Sequence, residues 1–491
     1  MKGMTLPLAL LAAAVMAPRI EARQLGELNF EKCELPVVGI RPSNPVNAEC
    51  TTLKVPEAPD GQGGRQIELA IALVPSRSPK PLPDPVFILA GGPGQSAREV
   101  WRGMAGSFRE VLAERHVILL DQRGTGASNR FDCPAPEGID PLAVDVDPAL
   151  AADLARDCLD KVNETHDARY YSTEDAALDL DRVRAAIGAE QVNLVGVSYG
   201  TRMGQIYAKR YPARVRTLLL DSVVPNELML GTEHAMNLED TLKRQLDRCK
   251  DDPECGKRFG DPYAALKSLA EQLRAQPRMV PARDPRTGET ADRALTPGTL
   301  ATVARMYMYS GETAALLPQT LAEAQAGRFE PLIAQAAMMG DDLGSQIAGG
   351  MHWSVICAED APGFAPRPQD AGLLLGQDFI SMTTAWCGAW PKREIPADFH
   401  APMSGDTPVL ILSGEYDPVT PPRYGDQVVK NLANGRHLIV PGQGHSVLGR
   451  GCAPKLLAQF IKTADAKKLD AECLKQQTPA PFFLNFSGSA P

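Results

Sequence analysis

Val192-Asn193-Leu194-Val195-Gly196-Val197-Ser198-Tyr199-Gly200 runs from an apolar, β-branched stretch into a Gly-x-Ser-x-Gly pentapeptide, and a helical stretch follows over residues 201–211. A strand that ends on a serine and turns at once into a helix is a sharp corner, where Gly196 and Gly200 remove Cβ atoms that would clash. The hydroxyl of Ser198 then stands above a sheet at the positive end of the helix. The pentapeptide alone also occurs in ordinary loops; its strand-to-helix setting gives it meaning.

Working outward, further short apolar runs lie at residues 86–90, 116–120, 217–220, 409–412 and 437–440. Runs apolar on both faces suit parallel strands covered by helices. Residues 173–187 place Ala176, Leu180, Val183 and Ile187 at helical spacing behind Ser172 and Asp175, an N-terminal capping signature. Residues 51–74 read as an antiparallel hairpin around Pro59-Asp60-Gly61, because Asp-Gly supplies the positive φ of a tight turn. The expected fold class is therefore α/β, a mostly parallel sheet flanked by helices. The strand rhythm is lost from 224 to 400, where stretches such as 263–273, 300–309 and 318–326 look helical, so this segment is predicted to be a mainly helical cap inserted into the sheet domain. The expected organisation is a signal peptide over 1–22, the first part of the catalytic domain over 23–223, the cap over 224–400, the second part over 401–475 and a tail over 476–491.

A serine hydroxyl is a poor nucleophile near neutral pH and needs an adjacent base and an acid that orients it. Of seven histidines, His445 fits best. It sits in Pro441-Gly442-Gln443-Gly444-His445-Ser446, just after an apolar run, and the glycines let the loop carry the imidazole over the serine; His352, His400 and His437 fit less well. The acid is read as Asp417 in Ser413-Gly414-Glu415-Tyr416-Asp417-Pro418, with Glu415 as the alternative. Pre-aimed backbone amides stabilise a developing oxyanion by roughly 2.7–4 kcal/mol each. The N–H groups of Gly92, in Gly91-Gly92-Pro93-Gly94, and of Tyr199 are the expected donors. A phosphate-binding reading of that glycine loop fails for lack of a Lys-Ser/Thr ending.

Gly91-Gly92-Pro93-Gly94, Asp121-Gln122-Arg123-Gly124-Thr125-Gly126-Ala127-Ser128, residues 196–200 and the Asp417 and His445 loops together resemble the prolyl aminopeptidase and tripeptidyl aminopeptidase family of α/β-hydrolases. Residues 408–473 look like the C-terminal segment of the secreted tripeptidyl type, and Ala90, where prolyl aminopeptidases usually carry histidine, points to the same branch. The resemblance implies an α/β-hydrolase fold and an exopeptidase acting on peptides with free N-termini under a helical cap, without cofactor. It also implies cap carboxylates for the substrate ammonium, with Glu359 and Asp360 as candidates. Arg123 is expected to be structural, pairing with carboxylates. An esterase or amidase with the same triad is the alternative, and a catalytically silent binding protein is the rival from another class.

At 491 residues the chain is longer than one hydrophobic core usually serves, and 44% hydrophobic with 23% charged residues is ordinary for a globular protein. A net charge of -9 without a basic patch excludes nucleic acid as a partner. Lys2, the apolar run 6–16 and Ile20-Glu21-Ala22 have the order of a secretory signal, and no segment suits stable membrane insertion, so a periplasmic or extracellular protein is expected. The ten cysteines agree with export. Paired as sequence neighbours they give Cys33–Cys50, Cys133–Cys158, Cys249–Cys255, Cys357–Cys387 and Cys452–Cys473, each bridge worth about 2–4 kcal/mol. No CxxC or HExxH spacing supports a metal site.

Overall fold

The computed structural model describes residues 22–36, 46–61, 63–133, 148–283 and 288–489. The expected signal peptide and its cleavage site fall almost wholly outside them. The strands are β1 (Arg23–Leu25), β2 (Leu28–Leu35), β3 (Val46–Pro56), β4 (Gln66–Val74), β5 (Val86–Leu89), β6 (Val117–Leu120), β7 (Val192–Val197), β8 (Val215–Asp221), β9 (Arg278–Arg283), β10 (Thr290–Leu295), β11 (Val409–Gly414) and β12 (Gly435–Val440). Ten of them form one sheet in the order β1-β2-β3-β4-β6-β5-β7-β8-β11-β12. The meander from β1 to β4 and the β4–β6 pairing are antiparallel, and every pairing from β6 to β12 is parallel.

The parallel strands are apolar on both faces because both faces are covered. Phe87, Leu89, Leu194, Leu218, Leu220 and Ile411 pack with helices Thr173–Ala186, Tyr199–Arg210 and Pro422–Val429. Val86, Ile88, Val195, Leu219, Leu410 and Leu412 pack on the opposite face with helices Ala97–Met104 and Ala453–Thr463. The alternation is the period of a strand, and each fully buried aliphatic or aromatic side chain stabilises the layer by about 1.5–3 kcal/mol. Ser172 caps helix Thr173–Ala186 in the predicted capping box with Asp175. Arg123 is buried and bidentate to Asp179 at 2.7 and 2.9 Å, the structural role expected of it.

Between β8 and β11 the chain leaves the sheet and builds a mainly helical body with its own core, including Leu242, Leu266, Leu269, Leu300 and Val303. That body departs from the expectation in one respect, since β9 and β10 pair as an antiparallel ribbon within it. The predicted β3–β4 hairpin forms, but the strands end at Pro56 and Gln66, so the connection is longer than the tight turn Asp60-Gly61 suggests. All five expected cysteine pairs are disulfides, with Cα–Cα distances of 5.0 to 6.3 Å.

Candidate active site

β7 delivers Ser198 to the carboxyl edge of the sheet with φ 55° and ψ −123°, a backbone conformation that costs a non-glycine residue about 1–3 kcal/mol and persists because its surroundings enforce it. The flanking glycines supply the room. A Cβ on Gly196 would lie 2.5 Å from the Gly200 carbonyl oxygen, and one on Gly200 would lie 2.1 Å from that of Leu89. The Ser198 N–H donates to Asp221 O at 2.9 Å, which ties the corner to the end of β8.

His445 arrives on the loop after β12, and this loop is held from two sides. Val447 N and Leu448 N each donate to the buried carboxylate of Asp221 at 2.9 Å, and Ser446 N donates to Ser222 Oγ at 2.8 Å. On the side of the inserted body, His445 N donates to Tyr309 O at 2.9 Å, and the Tyr309 ring meets the imidazole edge-on at 4.9 Å. Burial pushes Asp221 up to about 6 despite its two amide donors.

His445 Nδ1–H donates to Asp417 Oδ2 at 2.8 Å, which leaves Nε2 as the basic nitrogen. Asp417 is fully buried after β11, where Val419 N and Thr420 N donate to Oδ1 at 2.9 and 2.8 Å and Thr420 Oγ1 donates to Oδ2 at 2.8 Å. Burial acts to raise the Asp417 carboxyl, but the His445 charge and this set of donors outweigh it and hold the group below its usual range. For His445 burial acts to lower the affinity for a proton, and the Asp417 carboxylate, by charge and hydrogen bond, outweighs it and raises the imidazole above 6.5. Glu415, the alternative acid, is occupied elsewhere, accepting from Gly442 N at 2.9 Å, whereas Asp417 is the carboxylate that meets His445 Nδ1.

A pH profile follows from this pair. The serine's proton needs a neutral imidazole, and protonation removes it as pH falls through a raised pKa. The acid limb of kcat/KM is therefore expected to have its midpoint above 6.5, and Asp417→Asn should move that limb to lower pH. Profiles of both proteins between about pH 5 and 9 check it, and a wild-type midpoint below 6.5 would contradict the geometry.

Ser198, His445 and Gly92 line one cavity of about 1210 Å³, whose walls come mostly from the inserted body. The Gly91–Gly94 loop lies against the corner, since a Cβ on Gly91 would sit 3.3 Å from Ser198 Cβ, and Gly92 has φ 105°. Tyr199 begins its helix, so its N–H has no carbonyl one turn back to satisfy it. Its side chain is buried under the site, where Tyr199 OH meets Thr173 Oγ1 at 2.7 Å and accepts from Gln122 Nε2 at 3.1 Å.

His352, which its sequence setting passes over, lines the cavity and holds the glycine loop. Its Nδ1 lies 3.1 Å from Pro93 O, and because a carbonyl only accepts, Nδ1 carries the proton. Ala348 N donates to Gly94 O at 3.0 Å from the same segment. His400 and His437 are occupied away from the serine, His400 between Asn226 O and Glu359 O, His437 between Asp426 and Ser413.

Glu359 and Asp360, the candidates for a substrate ammonium, are not among the residues that line the cavity. Both are buried in a π-helical turn, Ile356–Asp360. Glu359 accepts from Thr173 N at 2.6 Å and Thr173 Oγ1 at 2.8 Å, and burial, then the charge of Asp360, push it up to about 8, so it is largely neutral near pH 7. Asp360 is matched by Arg202 at 2.8 and 3.0 Å and by Leu230 N at 2.7 Å. Among the described residues no group of histidines, cysteines and carboxylates is arranged to hold a metal ion.

A family model described as alpha/beta hydrolase fold matches residues 84–450, from the strand before the glycine loop to just past His445. The chain belongs to the alpha/beta hydrolase fold family. This hydrolase is 25% identical over 468 residues to the serine protease Hip1 of Mycobacterium tuberculosis, covering 87% of this chain and 88% of the relative. It is 25% identical over 481 residues to a tripeptidyl aminopeptidase of Streptomyces lividans, covering 89% and 86%. A carboxylesterase B of M. tuberculosis is 27% identical over 461 residues, covering 84% of each. By family and by these relatives the hydrolase is an enzyme of the serine type.

Proposed function

We propose that the hydrolase is an exported serine peptidase that cuts near the free N-terminus of peptides, in the prolyl or tripeptidyl aminopeptidase manner. The observation that carries the reading is the 2.8 Å Asp417–His445 bond beside a strained Ser198 in a cavity walled by the inserted body. Ser198 Oγ bonds to the substrate carbonyl carbon while His445 Nε2 takes its proton, and the Gly92 and Tyr199 N–H groups meet the oxyanion. Collapse breaks the C–N bond as His445 returns the proton to the leaving amine. Water, deprotonated by the same imidazole, then releases the acyl group as a free acid. Asp378 is the one carboxylate among the described residues lining the cavity, and it takes the ammonium-binding role expected of Glu359 and Asp360. Five disulfides support an oxidising compartment.

The relative named carboxylesterase B favours a second reading, in which the same residues cut small esters or amides. Prolyl-, alanyl- and tripeptidyl-p-nitroanilides, with free and acetylated N-termini, separate the two beside p-nitrophenyl esters. Cleavage of the free forms and loss on acetylation is the expected result. Ester hydrolysis without any anilide hydrolysis would leave only the second reading.

A further inference from the structure

Helix Pro297–Tyr307 carries a half-buried arginine, Arg305, on the cavity wall. Arg274, the other arginine lining the cavity, donates to Leu373 O at 2.7 Å, whereas the Arg305 guanidinium has no hydrogen bond, ion pair or ring contact with any described residue. The one carboxylate on the described wall, Asp378, has interactions of its own. A guanidinium turned to a mainly apolar cavity has lost part of its hydration without a protein anion to offset it. Its setting is specific as well. Arg305 lies in the last turn of its helix, four residues before Tyr309, the residue whose ring and carbonyl hold His445. Its positive charge disfavours protonation of both His234 and His445, which sets it within electrostatic reach of the general base.

In the reaction assigned above, His445 hands its proton to the departing amine, so the space beside His445 and Tyr309 receives the leaving group. We propose that Arg305 binds a carboxylate on the leaving-group side, the free C-terminus of a short peptide. With Asp378 meeting the ammonium and Arg305 the carboxylate, the cavity selects short peptides with both termini free over long chains. This inference rests on the peptidase reading and names its substrate class. Arg305 is the better match to a carboxylate because its planar fork engages both oxygens at once.

The test compares Ala-Ala-Pro-Ala as the free acid and as the C-terminal amide, with product formation followed by chromatography, for wild type, Arg305→Met and Arg305→Lys. Wild type is expected to favour the acid by about tenfold to a hundredfold, mainly through KM, the effect of one charge-assisted hydrogen-bonded pair. The Met variant should bring the acid-to-amide ratio near one, and Lys should restore part of it. Equal use of acid and amide by wild type, a comparison that needs no variant, overturns the assignment, as does a preference that persists in Arg305→Met. Tripeptidyl-p-nitroanilide carries no C-terminal carboxylate and separates the two levels. If wild type cleaves it while treating acid and amide alike, Arg305 is misassigned and the peptidase reading stands; if wild type cleaves neither anilide nor peptide, both fail.

Discussion

Ser198→Ala is expected to lower kcat by about 10⁴-fold or more on every substrate the wild type cleaves, with KM changed little. The loss is large because the serine supplies the bond-forming atom, and neither His445 nor the oxyanion donors can replace it. The fold should persist, because Ser198 Oγ has no part in the sheet's packing and alanine relieves nothing but a hydroxyl at a strained corner. Measuring kcat together with labelling by a fluorophosphonate probe checks both. A variant that stays within tenfold of wild type, or that is still labelled, would move the nucleophile elsewhere.

Asp417→Asn should cost about 10⁴-fold in kcat although it removes only a charge. An asparagine amide keeps the shape but offers a donor where His445 Nδ1–H now donates at 2.8 Å, so the imidazole is driven to the wrong tautomer and its Nε2 no longer accepts the serine proton. Glu415→Gln is the matched control: Glu415 accepts from Gly442 N at 2.9 Å, and Gln can still accept that bond, so a loss of less than about tenfold is expected. If the two variants exchanged their effects, the acid would be Glu415.

Much of this is legible in the amino-acid sequence. The strand-to-helix setting of residues 196–200, the two-faced apolar runs and the loss of strand rhythm after residue 224 follow from local periodicity, which one chain displays without its partners. The cysteines were readable for the same reason, since neighbours in sequence are neighbours in space here. What was hidden depends on how distant segments meet. Nothing in the local sequence around Arg305 or His352 shows that the inserted body folds them over the serine. Asp221 had a usable signal, an acid at the carboxyl end of a predicted parallel strand, where sites on such sheets lie. The setting of Glu359 and Asp360 is hidden as well, because a π-helical turn aims both side chains inward, toward Thr173 and Arg202, and no sequence pattern announces such a turn. The β9–β10 ribbon is not legible in the sequence because the buried face of Arg278–Arg283 is only two residues, Val280 and Ala282, too short an alternation to mark a strand.

The disulfides bear on how the protein is made. Each bridge joins two consecutive cysteines, at separations of 17, 25, 6, 30 and 21 residues. A chain that enters an oxidising compartment from its N-terminus thus meets each correct partner before any wrong one, because every pair is complete before the following pair begins to appear. Oxidation in order of emergence yields the native set directly, and the maturing protein depends on a donor of disulfides rather than on an isomerase to correct them.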